Sequence, residues 1–274
     1  MPQEGPTTNM GTRSRRKRRA SGRVPSNENS KRPRRATSAE GNGVASAELS
    51  SGGGRTRTVQ SLVYEELKRS LMTGVFIPGE KVSLRRLTEQ TGTSMMPVRE
   101  AVNRLIAERA FQVVPKRKVI VPTMSAEKFE ELLHWRVQLE TAAAKAACQK
   151  ITPEIIEQLE RIDEKIIEAV EHNHRDDLLP LNYEFHFTIY RAAQFQVLLP
   201  IIESLWLQAG PFTYYSTPSP RTLWDVRHHK DLIDALRRRD ERAAQQALKN
   251  DIETAGQFLR RTGQFVKPGM RRIA

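Results

Sequence analysis

Apolar side chains recur three and four residues apart along most of the chain, and residues 83–104 show this pattern most informatively. Ser83 is suited to cap a helix over Leu84–Gln90, Gly92 permits a sharp turn, and Ser94 is suited to cap a second helix. The apolar positions would form one shared seam: Leu84, Leu87, Val98, Val102 and Leu105. The pattern predicts two short helices joined by a tight turn.

The outward positions of this helix pair carry its candidate chemistry. They are Arg85, Ser94, Met95, Met96, Arg99 and Asn103. A second helix that projects its first turns from such a pair fits the major groove of DNA. Helical hairpins with a charged, solvated outer face are also common. The stretch alone therefore leaves DNA binding and an ordinary solvated hairpin about equally supported.

The flanking residues favour the DNA-binding interpretation. Upstream, Leu62–Met72 has the spacing of a helix and is followed by Gly74. Downstream, Phe111–Val114 and Val119–Val121 are β-prone runs on either side of Pro115–Lys118. This predicts a hairpin whose tip presents three cations to phosphates or the minor groove: Lys116, Arg117 and Lys118. Residues 58–121 are thus predicted to form a winged helix-turn-helix domain.

The pattern changes to long amphipathic helices after a short linker at residues 122–124. Ser125 and the Thr152-Pro153 pair are typical helix starts. The expected helices are Ala126–Gln149, one from Pro153, one from Asp176 or Asp177 to about Ala193, Phe195–Leu207, about Pro220–Arg238, and one from Asp240 to near Gly263. The sequence therefore predicts a mostly α protein whose second domain, residues 125–264, is an all-α antiparallel bundle of six helices.

Charge is distributed unevenly along the 274 residues, whose formal net charge is +13. Residues 1–57 hold 13 Lys or Arg and 4 Asp or Glu, and they contain the clusters Arg13–Arg19 and Lys31–Arg35. This segment has few aliphatic side chains, so a disordered basic tail is predicted. It would be either an arm that raises non-specific affinity for DNA or a solvated leader without a role. A short C-terminal tail is predicted at residues 265–274.

Four polar residues, at three places in the predicted bundle, could together bind one metal ion. Asn182 and His186 lie four residues apart on one helix face, His229 lies in the fifth helix, and Asp251 lies in the sixth. Two imidazoles, a carboxylate and an amide oxygen suit a borderline divalent ion with positions left for a small ligand. The spacing alone favours histidines that are simply hydrogen-bonded in the core.

Two segments of the first domain carry a resemblance to a known family. VYEELKRSLMTGVFIPGEKV followed by LTEQTGTSMMPVREAVNRL resembles the DNA-reading domain of GntR-type bacterial transcription factors. The resemblance covers about 60 residues. Met95 stands where the family usually has Arg, and Lys118 stands where the wing usually has Gly. The resemblance implies sequence-specific DNA binding by this domain.

The second half resembles the FCD effector domain of GntR regulators, in its six-helix subtype. The residues that carry this resemblance are WRVQLETAAAKAA, the N-x-x-x-H of the third helix, and HKDLIDALRRRD. It implies a divalent metal ion held by Asn182, His186, His229 and Asp251, with zinc first and nickel or manganese as alternatives. Two of these four depart from the family's usual ligands. It also implies a small carboxylate or sugar-acid effector, for which Arg136 is the candidate ligand; the alternative is an ion pair between Arg136 and Glu140.

Together these features predict a homodimeric, metabolite-responsive transcription factor, foremost a repressor, that binds a palindromic DNA operator. Its expected location is the cytoplasm, at the nucleoid, since Cys148 is the only cysteine and no apolar run approaches the ~20 residues of a membrane helix. Two other functions stay open at this level. One is a metal-dependent enzyme that uses the same Asn/His/His/Asp set, and the other is a non-specific architectural DNA-binding protein.

Overall fold

The computed structural model describes residues 58–216 and 227–266. The predicted basic tail lies outside these residues, as do the start of the predicted fifth bundle helix and most of the predicted C-terminal tail. Within the described residues the predicted fold is confirmed: a small three-helix domain with a β-sheet precedes a set of long helices. None of the described helices is long and apolar enough to span a membrane.

The first domain, called here the reader head, has three helices and three short strands. In chain order they are α1 (Val59–Met72), β1 (Lys81–Val82), α2 (Leu84–Thr91), α3 (Met95–Ala107), β2 (Gln112–Val114) and β3 (Lys118–Ile120). The sheet has the order β1-β3-β2 with antiparallel pairing, and Val113 lies opposite Val119. The strand β1 was not predicted, because two residues are too few to show an alternating pattern.

The caps in the head explain where its helices begin. Helix α1 starts three residues earlier than predicted because the Thr58 hydroxyl accepts a hydrogen bond from the Ser61 amide. Ser83 caps α2 in the same way through the Arg86 amide. Ser94 is the cap residue of α3, but its side chain makes no capping hydrogen bond, contrary to the prediction. Gly92 adopts the left-handed conformation (φ 62°) that the turn between α2 and α3 requires.

The wing tip differs from the prediction. Residues Pro115–Arg117 form a single 3₁₀ turn, and Lys118 belongs to β3 with ordinary extended backbone. Within this turn, the residues with positive φ are Lys116 (65°) and Arg117 (56°). The residue that stands where the family has glycine, Lys118, is therefore unstrained. The unfavourable left-handed backbone occurs instead at the two basic residues that precede it, Lys116 and Arg117.

The second domain contains six α-helices within the described residues. They are α4 (Ala126–Lys150), α5 (Pro153–Glu171), α6 (Arg175–Ala192), α7 (Leu198–Ala209), α8 (Arg227–Arg237) and α9 (Glu241–Thr262), with a 3₁₀ segment at Gly210–Ser216. Helix α7 begins at Leu198 rather than at the predicted Phe195, since Gln194 has a left-handed backbone (φ 56°) that ends α6. Ser125, Thr152 and Asp240 cap α4, α5 and α9 through their side chains.

Packing in this domain brings α4, α6, α8 and α9 around one buried centre. Helix α9 packs along α4 and α8, while α5 packs on α6 and α8. The α4–α9 contact is close at Gly256, where a Cβ atom would lie 2.6 Å from Leu133 Cδ2. Fully buried aromatic residues of α6, including Phe185 and Tyr190, fill the space between these helices.

Candidate nucleic-acid interface and metal centre

The structure exposes every residue predicted to face DNA. Helix α3 buries Val98, Ala101, Val102 and Leu105, which turns its other side to solvent. The exposed predicted positions are Arg85, Ser94, Met95, Met96, Arg99, Asn103, Lys116, Arg117 and Lys118. Arg85 pairs with Glu89 at 3.0 Å, and the Thr88 hydroxyl lies 3.8 Å from Met95 Sδ. These side chains on α2, α3 and the wing make up the candidate DNA-binding surface.

Arg104 shows by contrast how an arginine of α3 is removed from that surface. Its guanidinium lies 3.6 Å from the centre of the Tyr64 ring and 3.0 Å from Glu108. The Tyr64 hydroxyl also donates to Glu108. Burial and this hydrogen bond raise the pKa of Tyr64 well above its usual value. Arg104 therefore ties α3 to α1.

Three of the four predicted metal ligands converge in the centre of the second domain. His186 on α6, His229 on α8 and Asp251 on α9 each offer one ligand atom, and these atoms lie within 4.8 Å of one another. The two histidine Nε2 atoms are 3.4 Å (His186) and 3.8 Å (His229) from different carboxylate oxygens of Asp251. Both histidines are buried. The adjacent His228 is directed elsewhere, since its Nε2 lies 3.2 Å from the Thr254 hydroxyl.

Asn182, the fourth predicted ligand, lies one helical turn before His186 in α6. Its Oδ1 atom is buried and has no hydrogen-bond partner among the described residues. A buried amide oxygen without a partner is unfavourable by about 1–3 kcal/mol, so such an atom requires an explanation.

Each histidine is oriented by a residue that was not predicted. His229 Nδ1 lies 3.0 Å from Asp163 Oδ1, and His186 Nδ1 lies 3.3 Å from the Tyr190 hydroxyl. The Tyr190 hydroxyl in turn donates to Glu140. The sequence held a signal for Asp163, because this acidic residue falls on the apolar stripe of α5 between Ile162 and Ile166. Tyr190 follows His186 at i+4 on the same face.

These contacts determine which nitrogen of each ring carries hydrogen. The Asp163 carboxylate can only accept, so His229 carries its hydrogen on Nδ1. The Tyr190 hydroxyl uses its hydrogen for Glu140, so it accepts from His186 Nδ1. In their neutral forms both rings therefore direct an Nε2 lone pair toward the carboxylate of Asp251.

Asp251 remains ionised in this environment. Burial acts to raise the pKa of Asp251, but a hydrogen bond from protonated His186 and the charges of protonated His186, His229 and His228 lower it to about 2. Tyr190 stays protonated, because burial and the adjacent Glu140 raise its pKa well above the usual value. When the two rings are neutral, the centre offers a cation one carboxylate and two imidazole lone pairs, and when they are protonated their Nε2–H groups face Asp251 instead.

Arg136 lies beside this centre on α4. Its Nε and Nη2 atoms donate to Glu140 at 2.6 and 3.4 Å, and its guanidinium lies 4.6 Å from the centre of the Trp206 ring. Burial acts to lower the pKa of Arg136, but Glu140 raises it, so the group is charged. The ion pair with Glu140, the alternative to effector binding, is therefore present in the fold.

Trp206 completes the surroundings of the centre. Its ring lies 5.6 Å from that of His186, and it is almost fully buried. The indole Nε1 atom has no hydrogen-bond partner among the described residues. Residue spacing gave no indication of Trp206, which was predicted only as part of an apolar helix.

Comparison with known proteins places both domains. Residues 60–121 match the family described as bacterial regulatory proteins, gntR family, and residues 131–254 match the FCD domain. The HTH-type transcriptional regulator McbR of Escherichia coli K12 is 30% identical over 189 residues, which cover 68% of this chain and 86% of McbR. The HTH-type transcriptional repressor RspR of the same organism is 27% identical over 212 residues, covering 76% of this chain and 92% of RspR.

The solved structure of E. coli McbR/YncC superposes with a TM-score of 0.71 at 27% identity, covering 75% of this chain and 99% of that chain. The relatives and both domains identify a regulator of transcription and not an enzyme, so the metal-dependent enzyme considered from the sequence is set aside. The chain belongs to the GntR family of bacterial regulatory proteins, as a DNA-binding transcriptional regulator with an FCD domain.

Proposed function

We propose that this regulator binds a divalent metal ion at His186, His229, Asp251 and Asn182, and that a small carboxylate held beside the ion changes its affinity for a DNA operator. The observation that carries the proposal is the convergence of three potential ligand atoms. One atom from each of His186, His229 and Asp251 lies within 4.8 Å of the other two. Such a set of ligand atoms suits a divalent cation.

The hydrogen bonds at the other nitrogen of each imidazole support the same proposal. A metal-binding histidine usually donates its other ring nitrogen to a carboxylate, carbonyl or comparable acceptor, which fixes the ring for coordination. Asp163 and Tyr190 have this relation to His229 and His186. The unpartnered Oδ1 of Asn182 would also gain a partner as a ligand.

The ligand types favour zinc, with nickel or manganese as alternatives. Imidazole suits zinc and nickel, whereas carboxylate and amide oxygens also suit manganese. When bound, the ion supplies positive charge that attracts an anionic effector. The chain's own residues then orient the effector.

Arg136 and Trp206 are the proposed effector-binding residues. Glu140 accepts from Nε and Nη2 of Arg136, while Nη1 has no hydrogen-bond partner among the described residues. The buried Nε1–H of Trp206, near the guanidinium, is a second donor without a hydrogen-bond partner in the part of the chain that the structure describes. A carboxylate that accepted from both donors would satisfy them, which supports a small carboxylate or sugar acid as the effector.

The DNA-binding part of the proposal is a homodimer on a palindromic operator. The exposed surface of α3 would enter the major groove, and Lys116, Arg117 and Lys118 would contact phosphates or the minor groove. Twofold symmetry of two heads would produce a palindrome. The repressor role is supported by one named relative, RspR, which is a transcriptional repressor.

The test measures operator binding in the presence and absence of the metal and candidate effectors. DNA selected by the wild-type protein from a random library serves as the probe, and small carboxylates are screened with and without zinc. We expect a carboxylate that changes the Kd for DNA in wild type and has no effect on His186→Ala. His134→Ala is the matched control, since His134 is an exposed histidine of α4. A response that survives His186→Ala would contradict the proposed site.

A further inference from the structure

Helix α7 contacts both the metal centre and the reader head. Glu203 and Trp206 are three residues apart in α7 and are therefore neighbours on its surface. Trp206 lies against His186, and Glu203 lies against α1 of the head. One turn of α7 therefore contacts both the metal centre and the reader head. The proposed function requires these two sites to be coupled.

The contact on the head side is a shielded ion pair. Lys68 Nζ of α1 lies 2.7 Å from Glu203 Oε2, with side chains only 11% and 29% exposed. Removing one partner of such a pair leaves the other charge poorly solvated, so the pair resists separation. Its neighbour Arg69 in α1 is exposed and takes no part in this contact.

The junction between the end of α7 and the reader head is also closely packed at two glycines. At Gly210, directly after α7, a Cβ atom would lie 2.4 Å from the Leu71 carbonyl oxygen and 2.7 Å from Met72 Cα. Backbone therefore packs on backbone where α7 meets the end of α1. At Gly74, which has φ +67°, a Cβ atom would lie 2.9 Å from Thr213 Oγ1 of the 3₁₀ segment. A contact this tight transmits displacement, because close-packed groups cannot absorb it by compression.

The contact on the site side is equally close. The Trp206 ring lies 5.6 Å from His186 and 5.2 Å from Phe187, and the Arg136 guanidinium lies on it at 4.6 Å. A shift of the His186 ring or of Arg136 toward α7 would therefore displace Trp206. Because Trp206 is buried on α7, close packing opposes reorientation of the side chain alone and favours movement of the helix with it.

We propose that α7 acts as a lever that couples the centre to the reader head. In this proposal Trp206 is displaced by changes at the centre, and the Glu203–Lys68 pair together with the Gly210 contact passes the displacement to α1. This inference rests on the proposed function, since it assumes that the centre binds a ligand that affects DNA binding. Repositioning of His186 and Arg136 shifts Trp206, α7 follows, and α1 moves with Glu203. The coupling is reciprocal, so DNA binding changes the affinity of the centre by the same factor.

The test uses zinc alone as the ligand and compares Glu203→Gln and Lys68→Met with wild type. Three quantities are measured on the full chain: zinc affinity by chelator competition, amide hydrogen exchange of residues 59–72 with and without zinc, and the ratio of the DNA Kd with zinc to that without zinc. Arg69→Met is the matched control on α1. Melting temperatures establish that each variant is folded.

We expect zinc to change exchange in α1 and to change the DNA Kd of wild type and Arg69→Met by roughly fivefold or more. In Glu203→Gln and in Lys68→Met, zinc affinity should stay within about threefold of wild type while the change in DNA Kd falls below about twofold. The double variant should lose no more coupling than either single variant, because both act on one contact.

Two results would contradict the proposed coupling through α7. One is full wild-type coupling in both Glu203→Gln and Lys68→Met. The other is a wild-type protein that binds zinc without any change in α1 exchange, which would leave the metal site intact. Absence of zinc binding by wild type would instead contradict the proposed function, and the lever with it.

Discussion

His229 and Asp163 are joined by a contact of 3.0 Å between Nδ1 and Oδ1, across 66 positions of sequence. This hydrogen bond connects α8 to α5 and directs the opposite ring nitrogen toward Asp251. A buried carboxylate is unfavourable unless it is paired. Asp163 is paired with His229, and its role is to orient that ring.

Removing this orienting group should weaken metal binding without removing a ligand. Asp163→Ala is expected to lower zinc affinity by about 10- to 100-fold, because His229 would lose its fixed tautomer and ring orientation. Asp163→Asn should restore part of that affinity, since its amide oxygen can still accept from Nδ1–H. Competition with a chromophoric chelator measures both variants. Glu164→Gln, a change at the adjacent exposed acid, should have no effect.

Tyr190→Phe tests the orientation of His186 in a different way, through stability. The change removes the hydroxyl that links His186 to Glu140, which leaves the buried Nδ1 of His186 without its acceptor and removes one of the hydrogen bonds to Glu140. We expect a loss of about 1–3 kcal/mol in the free energy of unfolding. Tyr183→Phe is the matched control in the same helix, since its hydroxyl has only a 3.5 Å contact with Arg191. Equal stability losses in the two variants would show that the Tyr190 contacts have no special role.

The strained wing tip should show a trade-off between stability and DNA binding. Lys116 has φ 65°, a conformation that costs a residue with a side chain roughly 1–2 kcal/mol and glycine almost nothing. Lys116→Gly should therefore raise the free energy of unfolding by up to about 1 kcal/mol while it weakens binding to all DNA sequences and lowers the salt slope by about one phosphate contact. Lys116→Ala keeps the strain and should lose only the DNA contact. If Lys116→Gly binds DNA like wild type at all salt concentrations, the wing does not contact phosphate.

The base-reading face of α3 can be tested with two arginines of the same helix. Arg99→Ala should cost about 1–3 kcal/mol of binding free energy on the selected site, because Arg99 is exposed on the candidate surface. Arg104→Ala should reduce stability and leave sequence preference unchanged, since Arg104 is held by Tyr64 and Glu108. Site selection from random DNA measures the preference of each variant. An unchanged affinity of Arg99→Ala for the selected site would exclude α3 as the reading helix.

Local patterns were sufficient to predict the helices and most of their caps. The seams of α2 and α3 and the caps Ser83, Ser125 and Thr152 follow from spacing and side-chain chemistry within one or two turns. The contacts that orient the centre could not be predicted this way. Asp163 meets His229, and Tyr190 meets Glu140, only after distant helices have packed together.

The wing shows a different limit of prediction. The sequence indicated a hairpin with a basic tip, but the strained residues are Lys116 and Arg117 rather than Lys118. The register Val114 opposite Lys118 leaves three residues for the turn, and the backbone that closes this turn needs positive φ at the last two of them. Pairing of the strands decides this register, and pairing is not visible in either strand alone.

The central claim is that His186, His229 and Asp251 bind one divalent ion per chain, and metal analysis of the purified protein tests it most directly. Wild type reconstituted with zinc and freed of excess should contain about one equivalent, as expected for a single site with imidazole and carboxylate ligands. His229→Ala should retain little zinc, and His134→Ala should retain the wild-type amount. A wild-type zinc content below about a tenth of an equivalent after reconstitution would contradict the claim, because a site with these ligands should hold a borderline divalent ion through such a preparation.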